Sequence, residues 1–407
     1  MSSLILEKLQ WLAGYGWDEQ GGITRLVYSD AWQQAQQALK TWLEEEGFSV
    51  EVDAAGNVIA WIPGAESPDE WIMTGSHLDT VVSGGIYDGQ YGIVAGALAI
   101  AKLVKEYGAP KKTIAVVAFA EEEASRFPFA MWGSKSMFGK ATIDDIKGIK
   151  DTAGLLMEQV IKELGYSGTQ EPRKQVEAFV ELHIEQGNVL ETEEIDVGIV
   201  HSIVGQRRLR ITVTGEANHA GTTPMAYRKD AMKTASLMVN RLLSIADEWG
   251  DPLVATVGQF ELEPNISNVV PGSAHFTLDV RHIDEQSLEE AANKMIAEIE
   301  LIAKDQSIEV AIETWFSSQP VQMNERIIQQ LIQSCKKQKI PYKSMHSGAA
   351  HDSQVVATTV PTAMLFVPSK SGISHSPLEF TEEKSLIQGM EVLEDTLFRL
   401  AYEGDKN

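Results

Sequence analysis

The stretch that most restricts this chain is TIAVVAFAEEEASRF, in which an apolar, β-branched run starting at Thr113 ends directly in Glu121, Glu122 and Glu123. Such a run reads as a buried strand. Three adjacent carboxylates repel one another, and no base follows them until Arg126. A solvated turn is the usual fate of a charge cluster, but the residues that follow, SRFPFAMWGS, are rich in aromatics and poor material for a surface loop. The strand therefore ends where carboxylates have a use inside the protein. In a layered α/β domain that place is the carboxyl edge of the sheet, where ligands gather. Two neighbouring carboxylates there can divide labour, one on a metal and the other free as a general base.

The flanking sequence supplies such a domain. NVIAWIP and EWIMTG read as strands, YGIVAGALAIAKLVKEYG as a helix stopping at Gly108, and FVELHI and VGIVHSIV as later strands. Around Gly205 the texture changes. RRLRITVTG alternates like a half-exposed strand, RKDAMKTASLMVNRLLSIADEWG is helical, LVATVGQFELE and SAHFTLDVRHI are strands, EQSLEEAANKMIAEIELIAKD is a helix and SIEVAIETWF a strand. This β-α-β-β-α-β order over about 110 residues matches a ferredoxin-like module. TAMLFVPS and a final helix, EEKSLIQGMEVLEDTLFRLAYEG, then resume the earlier style. At 407 residues two domains are expected. The fold class is α/β, with a mixed-sheet domain built from residues 1–206 and 322–407 and an inserted α+β ferredoxin-like domain at 207–321. Gly205 and Pro320 sit where hinges would be expected.

Charge narrows the partners. With 34 basic and 58 acidic residues the formal net charge is −24, which repels phosphate backbones and anionic lipid, so neither nucleic acid nor membrane is an expected partner. A small anionic substrate would need a local basic residue. The lone cysteine, Cys335, allows no intramolecular disulfide and suits a reducing cytoplasm. Its segment, IIQQLIQSCKKQK, reads as a helix, which points to a buried inert thiol rather than a nucleophile. MSSLILEKLQWLAGYGWDEQ lacks the pattern of a signal peptide, and the longest apolar run, GIVAGALAIA, is too short to span a bilayer. A soluble cytoplasmic protein is expected.

Three more polar clusters follow apolar runs. GSHLDTVVSGGIYDGQYG carries His77, Asp79 and Asp88 in a Gly-rich loop, FVELHIEQG carries His183 with Glu185 and Gln186, and SGISHSPLEF carries His375. Each alone is weak, since Asp-Gly is also a turn signal and a single histidine is more often structural. Together with the glutamates they supply three histidines and at least two carboxylates, the donors of a two-metal set.

With these motifs in place the sequence resembles the metal-dependent amidohydrolases of the peptidase M20 superfamily. More narrowly it resembles the hydantoinase/carbamoylase branch, which holds allantoate amidohydrolases, N-carbamoyl-L-amino-acid hydrolases and β-ureidopropionases. GSHLDTVVSGGIYDGQYG, EEEASRF, ELHIEQG, GEANHAGTTPM, NISNVVPG, SGAAHDSQ and GISHSPLEF lie in the family's order from Gly75 to Phe380. The resemblance implies a catalytic di-metal domain with an inserted lid and dimerisation domain. It implies that His77, Asp88, Glu123, His183 and His375 bind two divalent ions (Zn²⁺, Mn²⁺ or Co²⁺), with Asp88 bridging and Glu122 as the general base. Asp79 would orient His77, as metal-bound imidazoles require. His219 would stabilise the oxyanion, from its own subunit or across a homodimer. Asn268 and Arg281 would hold the substrate, Arg281 by a bidentate pair with a carboxylate, and Gln186 and His351 match further pocket positions. HIEQG and SGAAHDSQ favour carbamoyl hydrolysis over peptidase activity, so the implied substrate is a small ureido-carboxylate that yields ammonia and carbon dioxide. EEEASRFPFAMWGS is more like allantoate amidohydrolases of Gram-positive bacteria than like carbamoylases, with N-carbamoyl-L-amino-acid hydrolysis as the runner-up. A binding protein on the same scaffold would lack the base or a ligand, and this chain retains all of them. Glu121 falls where the family often has an acidic residue without a clear task. At Ala124 many relatives carry glycine.

Overall fold

A computed structural model describes residues 2–403. The chain divides into two compact units: one runs to His201 and resumes at Gln322, and the other is Ser202–Val321.

Among the described residues the first unit is organised on a nine-stranded mixed sheet. Its centre is four parallel strands in the order Lys112–Phe119, Ser67–His77, Val176–Ile184 and Thr362–Val367. Antiparallel strands flank them, Ser49–Val52 and Val58–Ile62 on one side and Val197–Ile203 on the other. The parallel strands are buried along most of their length, and their near-continuous apolar runs reflect cover on both faces. The Gln90–Tyr107 helix packs on this sheet and on the Glu383–Phe398 helix, with the Tyr91 hydroxyl donating to the Leu386 carbonyl at 2.7 Å. Because the four strands are parallel, their carboxyl ends lie along one edge. The segments carrying His77, the three glutamates, His183 and His375 all leave from that edge.

The second unit has the expected β-α-β-β-α-β order. In its sheet the Gly205–Thr214 strand lies between Ser273–His282 and Glu309–Ser318, with Phe260–Glu263 beyond Ser273–His282, all pairs antiparallel. Period-two alternation makes its core. Ala274, Phe276, Leu278 and Val280 turn inward with Leu209, Ile211 and Val213, against Met238 and Leu242 of the Ala231–Trp249 helix and Met295 and Ile299 of the Glu285–Asp305 helix. One expectation needs correcting. LVATVGQFELE is not a single strand but two, Val254–Thr256 and Phe260–Glu263, which pair with different parts of Ser273–His282. Among the described residues no helix is long and apolar enough to cross a membrane.

Candidate metal centre and active site

Five side chains from four chain segments converge at the carboxyl edge of the first unit. His77 is the last residue of its strand, and the loop that follows brings Asp88 back to it just before Gly89, the cap of the Gln90–Tyr107 helix. Asp88 is the centre. Its Oδ1 lies 3.3 Å from His77 Nε2 and 3.2 Å from His183 Nε2, while its Oδ2 lies 3.3 Å from His375 Nε2. His375 Nε2 is also 3.4 Å from Glu123 Oε1. The two oxygens of one carboxylate thus face two donor sets, His77–Asp88–His183 and Asp88–Glu123–His375, within each of which the donor atoms lie less than 4.8 Å apart.

The donors fit divalent cations. His77 Nδ1 is 2.9 Å from the Asp79 carbonyl and His183 Nδ1 is 2.9 Å from the Ile184 carbonyl. A carbonyl only accepts, so both rings carry a proton on Nδ1 and turn the Nε2 lone pair toward Asp88. The Gly89 N–H, 3.3 Å from His183 Nε2, donates to that same lone pair. Asp88 Oδ1 is buried without a hydrogen-bond partner. Electron-rich atoms converging this closely need a proton or a cation between them, and the two compete for the place. Burial opposes ionisation of Asp88, yet His183, His375 and His77 outweigh it and hold its carboxyl well below the usual carboxylate range.

Asp79 supports His77 through its main-chain carbonyl rather than its carboxylate. The carboxylate instead accepts the N–H groups of Glu122 and Glu123, at 3.2 Å each, and so fixes the glutamate loop. Fully buried Arg25 braces the same turn. Its guanidinium donates to the carbonyls of Leu78 (3.2 Å), Leu12 (2.8 Å) and Tyr15 (2.9 Å) and to Gln90 Oε1 (3.1 Å). Beneath the site Glu181 accepts from Ser76 Oγ at 2.7 Å and from the N–H and hydroxyl of Ser353 at 3.0 and 2.6 Å. It ties the neighbours of His77, His183 and His351 together. Sequence reasoning gave Glu181 no role. The signal was there, because in FVELHI a carboxylate two residues before His183 shares its face of the strand and must be paired.

In the glutamate loop the three side chains have different surroundings. Glu122 lies with His77 and Glu123 in one group of potential donors. Burial above all, with His77 opposing and Glu123 and Asp352 adding to it, raises its carboxyl well above the usual range, and cations held beside it would lower it again. Glu121 is fully buried, and its Oε1 accepts the Phe127 N–H at 2.8 Å, closing the loop behind its neighbours. The backbone is left-handed at Glu121 (φ +54°), Ala124 (+53°), Gln186 (+57°) and His375 (+54°), a concentration of costly conformations around one site.

Gln186 sits at the same carboxylate: its Nε2 donates to Asp88 Oδ2 at 2.9 Å and its own N–H donates to Ser369 Oγ at 3.0 Å. His351 is buried, its ring 4.7 Å from that of His183, with Nε2 3.0 Å from Ser347 Oγ. Burial, then the charge of His183, holds it well below the ordinary histidine range, so it is a neutral imidazole. The remaining sequence-predicted residues belong to the second unit. His219 is exposed on a two-residue strand paired with Val269–Val270, and its Nδ1 accepts the N–H groups of Gly221 (3.0 Å) and Thr222 (3.2 Å). The ring proton therefore sits on Nε2, as a donor to an oxyanion requires. The Asn268 carbonyl accepts the Ala220 N–H at 3.0 Å, which places it beside His219. Arg281 is held by Asp279 through Nε and Nη2, each at 2.9 Å.

This fold and this donor set define a metal-dependent hydrolase, and residues 63–399 match the peptidase family M20/M25/M40, to which the chain belongs. Hydrolases of this family are metal-dependent. The chain is 44% identical to allantoate amidohydrolase of Escherichia coli and 34% identical to N-carbamoyl-L-amino acid amidohydrolase of Geobacillus stearothermophilus, in each case across 98% of both chains. Among solved structures, a hydantoinase/carbamoylase family amidase from Burkholderia multivorans superposes with a TM-score of 0.93 at 33% identity, over 98% of this chain and 97% of that one.

Proposed function

We propose that this protein is an allantoate amidohydrolase that hydrolyses a ureido C–N bond with the aid of two divalent cations. What carries the substrate is the 44% identity along 98% of both chains to an allantoate amidohydrolase, against 34% over the same span to an N-carbamoyl amino acid hydrolase. The carbamoyl amino acid reading is second, since its substrates also join a ureido carbonyl to a carboxylate.

His77, Asp88 and His183 would hold one cation and Asp88, Glu123 and His375 the other, with Zn²⁺, Mn²⁺ and Co²⁺ all suited to imidazole and carboxylate. Bound there, the cations supply Lewis-acid polarisation of a carbonyl and activation of water. Glu122 takes the proton of the attacking water and returns it to the departing nitrogen. Gln186, fixed at Asp88, and neutral His351 face the substrate. The Nε2–H of His219 donates to the developing oxyanion. Arg281, its Nε edge held by Asp279, takes the substrate carboxylate, and Asn268 assists. The protein would also form a homodimer through the second unit, and sedimentation equilibrium tests whether the dimer exists.

The deciding experiment is ammonia release by metal-reconstituted protein, with allantoate and a panel of N-carbamoyl-L-amino acids side by side. Allantoate is expected to be the preferred substrate, and Glu122→Gln is expected to lower kcat by about 10²–10⁴-fold with the metal retained. Preference for a carbamoyl amino acid moves the protein to the second reading. Unchanged kcat in Glu122→Gln removes Glu122 from the mechanism.

A further inference from the structure

Glu379 has no part in the mechanism above, yet it is as buried as Asp88 (6% exposed) and its carboxylate is fully engaged. Oε1 accepts two successive main-chain N–H groups, those of Tyr87 at 3.0 Å and Asp88 at 3.1 Å. Oε2 accepts the Ser374 hydroxyl at 2.8 Å. Ser374 directly precedes His375, and its Oγ is also 3.0 Å from Asp88 Oδ2. One carboxylate therefore spans the loop that presents Asp88 and the loop that presents His375, two segments almost three hundred residues apart in sequence.

The surroundings are built for it. A Cβ on Gly85 would overlap Oε1 and Cδ of Glu379, so the glycine leaves the space the carboxylate occupies. Both loops are secured next to it, by the Tyr87 ring edge-on to Phe380 at 6.3 Å and by the Lys370 N–H donating to the Phe380 carbonyl at 2.9 Å. His375 itself has a left-handed backbone and a half-exposed side chain. It has little packing of its own to hold it opposite Asp88.

We propose that Glu379 is a positioning residue that ties the Asp88 loop to the His375 loop and thereby sets the geometry of the Asp88–Glu123–His375 donor set. This rests on the two-cation reading above. Asp88 is common to both sets, but His77 and His183 draw their order from the strand ends and from Glu181, whereas His375 depends on the loop that Glu379 holds, so removing Glu379 acts more on the cation of the His375 set than on the other.

The test is Mn²⁺ titration of metal-stripped protein by calorimetry, with thermal melting alongside, for wild type, Glu379→Ala, Glu379→Gln and Ser374→Ala. Wild type is expected to take up two ions per chain. Glu379→Ala is expected to keep the first and to bind the second about 10–100-fold more weakly. Glu379→Gln restores most of that loss, since an amide oxygen still accepts both N–H groups. Ser374→Ala weakens the same ion by a smaller factor, and it carries the test if Glu379→Ala does not fold. Two ions bound by Glu379→Ala as tightly as by wild type overturn the positioning role alone, as does an equal loss at both sites that glutamine does not rescue. Single-ion uptake by wild type overturns the two-cation reading, and this role with it.

Discussion

Replacing Gly89 by alanine tests whether the loop backbone is what holds His77 in register with Asp88. Gly89 caps the Gln90–Tyr107 helix at φ +67° and ψ −60°, a conformation that costs an L-residue roughly 1–3 kcal/mol. It also has a neighbour. A Cβ there would stand 2.5 Å from Nδ1 and 2.6 Å from Nε2 of His77, and closer still to Cε1. Ordinary contact begins near 3.4 Å, so the imidazole would have to recede by roughly 1 Å, a displacement that costs about 100-fold when it falls on a catalytic constellation. The ring has no room to do so freely, being 2% exposed and held at Nδ1 by the Asp79 carbonyl. Gly108, at the other end of the same helix, is the control. It too has positive φ (+77°), and nothing lies within 4 Å of its Cβ position.

Both variants are expected to lose about 1–3 kcal/mol in urea unfolding through the backbone conformation, with Gly89→Ala losing more because of the clash with His77. Only Gly89→Ala is expected to lose metal affinity and kcat, by about 100-fold or about 2.7 kcal/mol. Metal titration and turnover, each measured beside Gly108→Ala, separate the clash from the backbone cost. If Gly89→Ala stays within about threefold of Gly108→Ala in both, the argument that this loop fixes His77 is wrong.

Three further expectations follow from individual groups. Contact with Asp88, opposed by burial and aided by Glu123, raises His375 to about 9, and burial chiefly, then Asp88, raises Glu123 to about 7. Both must shed a proton to bind a cation, so metal affinity should climb with pH from about 6 to about 9, by up to about tenfold per unit for each proton released; an affinity flat across that range, measured by titration in several buffers, contradicts this. Ala124 holds φ +53° with an alanine side chain, so Ala124→Gly should leave metal binding intact and raise stability by less than about 1 kcal/mol, the relief of the left-handed backbone being partly offset by a more flexible unfolded chain; a lower melting temperature would refute it. Burial pushes the Cys335 thiol up to about 12, so it should resist disulfide reagents in the native protein and react stoichiometrically in urea, and rapid native labelling would show that the helix around it opens.

Much of the site was legible because strands and ligands share a simple rule. An apolar run ending in His or Glu marks a carboxyl edge, and four such runs pointed to one sheet. The second unit was legible for a similar reason, since SAHFTLDVRHI alternates strictly and its inward residues are the core. The break in LVATVGQFELE was not, because residues 257–259 carry no turn residue besides Gly258 and both halves have strand character. Glu379 lay in the quoted SGISHSPLEF motif but was hidden in a different way. Its partners are two N–H groups almost three hundred residues away, and an N–H group belongs to nearly every residue type. The same holds for the tautomers of the metal-facing histidines. Asp79 orients His77, but through its carbonyl, which every residue type has, and an isoleucine carbonyl does the same for His183. Side-chain chemistry announces which atoms can hold a cation, whereas the main chain decides which way they face. It follows that substitutions which keep the side-chain donors and shift only the backbone, at Gly89 or through Glu379, should be among the most damaging to this site.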